Sequence, residues 1–169
     1  MHLASLLPFI WSALFAASKS GSRKSTTWFI DGNNLLAQKG TTRDAQSLAD
    51  KLRPIKGYGA EMLCLVFDGR EGQELDDTVD GNLRIVKLAE GVTSDDFILE
   101  AIEGIVNSPT SNSDRIQLVT ADRGLRRLAL TFRPNVKGVV NPLTFYKKYI
   151  PRMSGLKKRA DDPETESSD

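Results

Sequence analysis

Three apolar segments of the sequence each run directly into an aspartate, and two more aspartates begin a predicted helix. They are Asp31 after residues 28–30, Asp68 after residues 62–67, Asp95 and Asp96 within residues 91–102, and Asp122 after residues 116–121. A carboxylate just beyond a buried strand is costly to desolvate unless something there uses its charge. We therefore expect these acids to lie together at one edge of a sheet.

Carboxylates crowded in this way repel each other, and some stay protonated unless cations lie between them. Oxygen ligands without nitrogen or sulfur partners favour Mg²⁺ or Mn²⁺, which can make a nucleophile from water and stabilise an in-line displacement at phosphorus. The only histidine is His2 and the only cysteine is Cys64, which excludes histidine triads, internal disulfides and cysteine zinc sites from the predicted domain. These acids are typical of a metal-dependent nuclease, and Cys64 is expected to be a small buried hydrophobic residue.

Each acid also has a simpler interpretation when it is taken alone. The two Asp-Gly pairs are typical of turns, Asp95 and Asp96 complement a helix dipole, and Asp122 is suited to cap a short helix. The sequence contains no glycine-rich phosphate loop, serine nucleophile elbow or dinucleotide fingerprint. Asn33 stands where an aspartate phosphatase usually has its second aspartate. The convergence of strand-end acids on one edge is what favours a shared chemical role.

The elements that would position these acids alternate between strand and helix patterns. Predicted strands cover residues 27–30, 62–67, 83–88, 116–121 and 136–140, predicted helices cover 43–53, 94–105, 123–131 and 142–149, and residues 69–80 are expected to form a loop. We expect Thr42 to cap the first helix and Thr93 or Ser94 to cap the second. The alternation predicts an α/β fold with a three-layer, doubly wound, mainly parallel sheet that binds ligands at the carboxyl ends of its strands.

Composition divides the 169 residues into three parts. Residues 1–26 combine an apolar stretch with a basic, hydroxyl-rich stretch, which predicts a plastid-targeting leader; a secretory signal or a cytoplasmic protein with a flexible N-terminus are the alternatives. The apolar stretch would reach only about 25 Å as a helix, short of a membrane span. Residues 27–150 form the predicted domain, and residues 151–169 a disordered charged tail.

The order and spacing of four short motifs resemble those of the NYN/PIN-like ribonucleases, closest to the YacP-like branch. The motifs are Phe29-Ile30-Asp31-Gly32-Asn33-Asn34, Val66-Phe67-Asp68, Thr93-Ser94-Asp95-Asp96-Phe97-Ile98 and Val119-Thr120-Ala121-Asp122-Arg123. The resemblance covers residues 27–130 and implies a PIN-like, Rossmannoid fold, a Mg²⁺- or Mn²⁺-dependent endoribonuclease activity and an RNA substrate. The metal-binding residues that it implies are Asp31, Asp68, Asp95, Asp96 and Asp122, all but Asp96 being catalytic.

The resemblance also bears on residues beside the acids. Asn34 falls on the carboxamide of the first motif, and we expect it to brace Asp31 or to touch phosphate. Asn33 departs from the family, because a tyrosine is common at that position. The C-terminal helical extension common in the branch is short or absent here, which leaves its contribution to RNA affinity in question.

Basic residues supply the expected RNA contacts. Residues 31–146 carry 14 Lys and Arg against 17 Asp and Glu, whereas residues 147–159 carry six bases and no acid. The candidate substrate-binding residues are Asn34, Arg123, Arg126, Arg127, Lys147 and Lys148, and Tyr146 and Tyr149 are expected to stack on bases. A basic tail that only keeps the protein soluble is the alternative.

Two classes of function therefore fit the sequence. The first is a metal-dependent endoribonuclease that acts on RNA, alone or within a ribosome or RNA-processing complex. The second is a non-catalytic RNA-binding or assembly module on the same fold, in which the acids serve as caps and turns. A DNA nuclease differs from the first only in its substrate. The sequence predicts neither the oligomeric state nor the number of metal ions.

Overall fold

The computed structural model describes residues 26–55, 61–108 and 115–154. In these ranges six strands form one sheet. They are β1 (Thr26–Asp31), β2 (Glu61–Phe67), β3 (Asp76–Asp80), β4 (Leu83–Lys87), β5 (Arg115–Val119) and β6 (Val136–Val140). Their order is β3-β4-β2-β1-β5-β6. β1 runs parallel to both of its neighbours, β2 and β5, so the carboxyl ends of these three strands meet at the same edge of the sheet. The predicted α/β class with a mainly parallel sheet is confirmed.

Strand β3 contradicts the prediction of a loop over residues 69–80. It runs antiparallel to β4 at the edge of the sheet, and all five of its residues are exposed. An exposed edge strand has no alternation of buried and polar residues, so hydrophobic periodicity does not reveal it. The overlooked signal was the two-residue Gly81-Asn82 turn between Asp80 and Leu83, in which Gly81 has a φ of 62°, because such turns are typical of hairpins.

Helices cover both faces of the sheet. They are α1 (Gly32–Leu36), α2 (Ala45–Leu52), α3 (Ser94–Val106) and α4 (Arg123–Ala129), followed by a 3₁₀ turn (Leu130–Phe132) and a C-terminal helical segment with consecutive parts Pro142–Thr144, Phe145–Tyr149 and Ile150–Met153. Thr93 caps α3, as predicted. The predicted cap of α2 was wrong by two residues, since Asp44 rather than Thr42 accepts the hydrogen bond from the amide of Ser47, at 2.7 Å. The short helix α1 was not predicted.

The alternation of side chains along β1 divides the core into two layers. Phe29 packs on one face with residues of α3 and α4, including Ile98 and Leu125. Trp28 and Ile30 pack on the other face with residues of α1, α2 and the C-terminal helical segment. The molecule is therefore a three-layer sandwich, and Cys64, which lies inside it, is fully buried as predicted.

The chain continues as helix past the predicted start of the tail. Ile150 and Met153 are both buried, so residues 151–153 belong to the folded domain, and the prediction of disorder from residue 151 was wrong for them. At the other end, β1 begins at Thr26, the last residue of the predicted leader. The rest of the leader and residues 155–169 lie outside the described residues, where both predictions stay predictions. Among the helices that are described, none has the length and apolar character needed to cross a membrane.

Candidate functional site

All four acids predicted to be catalytic line one cleft above the carboxyl ends of the central strands. The cleft has a volume of about 300 Å³. Its lining residues are Asp31, Asn33, Asn34, Asp68, Thr93, Ser94, Asp95 and Asp122. They come from the ends of β1 and β2, the start of α1, the start of α3 and the residue before α4. The parallel order of the strands is what brings these distant parts of the chain to one place.

Asp31 is the central and most deeply buried of the acids, with 4% of its surface exposed. Its Oδ1 accepts a hydrogen bond from the backbone amide of Asn34 at 3.0 Å, and its Oδ2 accepts one from the Thr120 hydroxyl at 3.2 Å. Burial raises the pKa of the Asp31 carboxyl; the two hydrogen bonds oppose this shift, and the charges of Asp68 and Asp122 add to it. Asp31 is thus an N-cap of α1 and a member of the acid cluster at once.

Asp68 is held between two elements by three hydrogen bonds. Its Oδ1 accepts from the backbone amide of Ser94 at 2.7 Å, at the start of α3. Its Oδ2 accepts from the Asn33 side-chain amide at 2.8 Å, and its own backbone amide donates to Asn33 Oδ1 at 3.3 Å. The two-point pairing with Asn33 joins the end of β2 to the start of α1. Asn33 therefore orients an acid of the cleft, a role for which the family motif offers no guidance.

Asp122 and Asn34 connect the cleft to β5. Asp122 is the N-cap of α4, and its Oδ1 accepts from the backbone amide of Leu125 at 2.7 Å. The Thr120 hydroxyl, which donates to Asp31, also accepts from the backbone amide of Asp122 at 3.0 Å. Asn34 Oδ1 accepts from the backbone amide of Ala121 at 3.2 Å. Asn34 therefore braces Asp31 through its backbone and the end of β5 through its side chain.

Asp95 differs from the other three acids because its carboxylate accepts no hydrogen bond from the described residues. Burial first, and then the charges of Asp31, Asp122, Asp68 and Asp96 in that order, together raise the pKa of Asp95 to about 6. Every charge in that set is negative. The cleft is thus a region of negative potential that carboxylates create and that no cationic side chain of its lining offsets.

Asp96, the fifth predicted metal ligand, is not among the lining residues. It is exposed, and its Oδ2 accepts from the Thr93 hydroxyl at 2.8 Å while its backbone amide donates to Thr93 Oγ1 at 3.2 Å. Both bonds join Asp96 to the hydroxyl of Thr93, the N-cap residue of α3. Successive helix residues point about 100° apart, so Asp95 faces the cleft and Asp96 is engaged in the cap.

Two glycines allow the strand ends to approach each other. A Cβ on Gly32 would overlap the ring of Phe67, the residue before Asp68, and a Cβ on Gly69 would overlap the backbone carbonyl of Ala89. Neither glycine has a positive φ, so the Asp-Gly pairs are not explained by left-handed turns. Glycine is needed at both places for close packing.

Of the six predicted substrate-binding residues, Asn34 lines the cleft and the five bases lie outside it. In the described part of the chain, all five bases are exposed and none lines the cleft, and Arg123 forms no ion pair with Asp122. They are Arg123, Arg126, Arg127, Lys147 and Lys148. The two tyrosines are engaged within the fold, since the ring of Tyr149 lies 5.4 Å from that of Trp28 and the Lys51 ammonium lies 5.8 Å from the ring centre of Tyr146.

The donor atoms of the cleft are of the chemical type that a hard cation prefers, but they are not arranged around a common point in the described residues. Within the described residues, no group of three or more acids, cysteines or histidines is placed to hold a metal ion. The lining nevertheless offers only oxygen ligands of the kind that Mg²⁺ and Mn²⁺ prefer. Both oxygens of Asp95 and one oxygen of Asp122 accept no hydrogen bond from described residues, so they are the most available ligands. Asp31 and Asp68 keep lone pairs beyond those already used.

Sequence reasoning identified the acids but overlooked the groups that orient them. Thr120, only 3% exposed, bridges Asp31 and Asp122. Ser94 was considered only as a helix cap, yet its backbone amide binds Asp68. The available signals were a hydroxyl at the end of an otherwise apolar strand and a second carboxamide after Gly32. Both are common at strand ends, so neither could be assigned before the partner was known.

Comparisons of the chain with family models, with curated proteins and with solved structures each gave no match. The family resemblance of the four motifs therefore stays a prediction. The geometry and electrostatics of the cleft are the basis for the functional proposal that follows.

Proposed function

We propose that this protein is a divalent-cation-dependent endoribonuclease that hydrolyses RNA phosphodiester bonds in the cleft. One observation carries the proposal: carboxylates from four separate segments border one cavity, and no Lys, Arg or His is among its lining residues. Burial is the largest cause of the raised pKa of Asp95, and the negative charges of Asp31, Asp122 and Asp68 raise that pKa further, because ionised acids destabilise one another. Helix caps and turns do not require four carboxylates to converge on one cleft.

Mg²⁺ or Mn²⁺, when bound, would supply Lewis-acid activation of water and neutralise charge on the phosphate. In this proposal Asp31, Asp95 and Asp122 hold the main ion, and Asp68 orients the attacking water or holds a second ion. Asn33 orients Asp68 through its two hydrogen bonds. Asn34 keeps the ends of β1 and β5 at their spacing.

One observation favours the alternative of a non-catalytic RNA-binding or assembly module. Asp31, Asp68 and Asp122 each accept a hydrogen bond from a backbone amide at the start of a helix. Such bonds stabilise helix N-termini without any ligand. In this alternative the acids serve the fold alone, Mn²⁺ does not bind, and RNA affinity survives neutralisation of the acids.

The neighbouring acids Asp95 and Asp96 provide a matched test. We expect Asp95→Asn to lower Mn²⁺-dependent cleavage of RNA by about 10³-fold, equivalent to about 4 kcal/mol in the activation barrier. Asp96→Asn, which removes the same charge one residue away, should retain most of the activity and keep the Thr93 cap, losing only the favourable interaction of its charge with the helix N-terminus, about 0.3 to 1 kcal/mol of stability. Cleavage of RNA and DNA oligomers of the same sequence, followed by gel electrophoresis, gives both the activity and the substrate class.

Calorimetric titration of the protein with Mn²⁺ in the absence of RNA separates the two functions. The nuclease requires Mn²⁺ binding that Asp95→Asn abolishes and Asp96→Asn preserves. It also requires that the cation raise the unfolding temperature, by an amount equivalent to about 1.4 kcal/mol at a free concentration ten times the dissociation constant. Wild-type protein that neither binds Mn²⁺ nor cleaves RNA would eliminate the nuclease and leave the assembly module.

A further inference from the structure

Charge is divided unevenly along this chain. Residues 26–108 carry 15 Asp and Glu against eight Lys and Arg, whereas residues 115–154 carry nine Lys and Arg and a single acid, Asp122. All nine of these bases are exposed. They are Arg115, Arg123, Arg126, Arg127, Arg133, Lys137, Lys147, Lys148 and Arg152. A net charge of +1 for the whole chain hides this separation.

The fold converts this separation along the sequence into a separation in space. The segment 115–154 comprises β5, α4, the 3₁₀ turn, β6 and the C-terminal helical segment, which we call the basic half. β5 and β6 lie at one side of the sheet, and the acidic strand β3 lies at the opposite edge. Asp122, which lines the cleft, is also the N-cap of α4, so the cleft borders the basic half directly.

The bases of the basic half are not used to stabilise the fold through ion pairs. In the described ranges none of the nine forms a salt bridge, whereas Arg53, Arg84 and Lys87 elsewhere in the chain each pair with an aspartate. Exposed cations that form no ion pair sum to a positive potential over the surface that carries them. That potential attracts polyanions and strengthens as salt is lowered.

We infer that the basic half binds the phosphate backbone of single-stranded RNA and delivers it to the cleft. The inference rests on the proposed function for the identity of the polyanion. The cleft itself is acidic and repels phosphate, so a substrate that enters it must be attracted by another part of the surface. We take the polyanion to be single-stranded because a flexible strand can bend into a cleft of about 300 Å³ more readily than a stiff duplex can.

The distribution of the bases favours a linear polyanion over a membrane. Arg126 and Arg127 lie on α4, on one face of the sheet, Lys137 lies on the edge strand β6, and Lys147 and Lys148 lie on the opposite face. A flat bilayer contacts one side of a protein, whereas a flexible strand can pass around an edge. Among the described residues of the basic half, Leu128 is the one large hydrophobic side chain that is strongly exposed, so little apolar surface is available for insertion into lipid.

Charge reversal on two surfaces tests the inference. The variants are Arg126→Glu with Arg127→Glu, Lys147→Glu with Lys148→Glu and, as a matched control on exposed bases of the acidic portion, Lys39→Glu with Arg43→Glu. Each is made in the Asp95→Asn background, so that RNA is bound without being cut. Binding of a fluorescent single-stranded RNA of about twelve nucleotides is measured by anisotropy at about 50 to 200 mM salt.

We expect each pair in the basic half to weaken binding about tenfold or more at low salt, with the control pair unchanged within about twofold. Neutralising Gln variants at the same positions should lower the slope of log K against log salt by about 1.4, or 0.7 for each lost phosphate contact. The Gln variants also control for misfolding, because they remove the positive charges without introducing negative ones. Equal losses in all three pairs, or binding that is insensitive to salt, would overturn the inference. Binding to phosphatidylserine vesicles without binding to RNA would replace it with a membrane surface.

The outcome is separable from that of the proposed function. RNA binding by the basic half without any cleavage by the wild-type protein in Mn²⁺ would reject the nuclease and leave the binding surface intact. Conversely, Mn²⁺-dependent cleavage that the same charge reversals leave unchanged when they are made in the wild-type protein, together with unchanged binding in the Asp95→Asn background, would keep the nuclease and reject the surface.

Discussion

Aspartates cluster in two regions of this molecule, and the two clusters differ in what lies opposite the carboxylates. On the edge strand β3, each acid faces a base: Asp76 lies 2.9 Å from Lys87, and Asp77 lies 2.6 Å from Arg84. Asp80 lies 2.9 Å from Arg53. These pairs cancel charge within the protein, and the pairs of Asp76 and Asp77 also join the exposed strand β3 to β4.

In the cleft, the partners of the acids are neutral. Asp31, Asp68 and Asp122 accept hydrogen bonds from amides and a hydroxyl, and Asp95 accepts none from the described residues. Neutral donors orient a carboxylate but leave its charge in place. An aspartate is therefore structural where a cationic side chain of the protein neutralises its charge. It is a candidate cation ligand where its only partners are neutral hydrogen-bond donors.

The largest expected effect on stability is at the buried pair of β3. Arg84 is 5% exposed and donates two hydrogen bonds to Asp77, at 2.9 and 2.6 Å. We expect Asp77→Asn to lower the free energy of unfolding by about 2 to 3 kcal/mol, because a buried guanidinium loses its carboxylate partner. Urea denaturation followed by circular dichroism measures the loss. A change below about 0.5 kcal/mol would show that the pair contributes little to the edge of the sheet.

A smaller effect of opposite sign is expected in the cleft. The pKa of Asp95 is raised to about 6 from 3.8, so between these pH values the unfolded chain releases the proton first. Ionised Asp95 therefore destabilises the fold increasingly from about pH 4 to 6, and the penalty persists above pH 6. Asp95→Asn should remove it and stabilise the metal-free protein by about 1 kcal/mol at pH 8, a value reduced by solvent screening of a partly exposed group.

The measurement is the stability difference between Asp95→Asn and wild type as a function of pH, in the presence of a chelator. The difference should vanish near pH 4 and reach its full size above pH 6.5. Saturating Mn²⁺ should reverse its sign at pH 8, because only the wild type gains stability from the ion. A difference that does not depend on pH would contradict the electrostatic account of the cleft.

The smallest effect is expected at the exposed pair of β3. The side chains of Lys87 and Asp76 are 46% and 48% exposed, and solvent-exposed pairs contribute about 0 to 1 kcal/mol. We expect Asp76→Asn to change stability by no more than about 0.5 kcal/mol and to leave RNA cleavage unaltered. A loss of activity in this variant would mean that the acids of β3 are not confined to a structural role.

Several parts of the fold were predictable because their signals are local. Buried strands such as 62–67 are continuous apolar runs, and Thr93 and Asp122 were recognised as possible caps because a capping side chain binds an amide two or three residues along the chain. By contrast, β3 is stable through its pairing with β4 and has no apolar pattern of its own. The five-residue helix α1 is likewise too short for helical periodicity to detect.

The site was predictable in its acids and not in their partners. A parallel sheet places the ends of neighbouring strands at one edge, so three apolar runs ending in Asp31, Asp68 and Asp122 were enough to expect a common cleft. The sequence predicted that Tyr149 stacks on RNA bases, but its ring packs against that of Trp28. That contact depends on where the C-terminal helical segment lies on the sheet, which the sequence does not give. The choice between Asp95 and Asp96 depended on how α3 is rotated against the sheet.

The amino-acid sequence by itself determined that three apolar strands run into carboxylates, that α3 and α4 begin with capping residues, and that the bases concentrate after residue 115. Only the tertiary structure decided that the acids of β3 meet bases, that those of the cleft meet amides, and that Asn33 and Thr120 hold Asp68 and Asp31. The physical reason is that desolvation, hydrogen bonding and Coulomb interactions depend on distances between atoms. For residues as far apart in the chain as Asp31 and Thr120, the fold alone sets those distances.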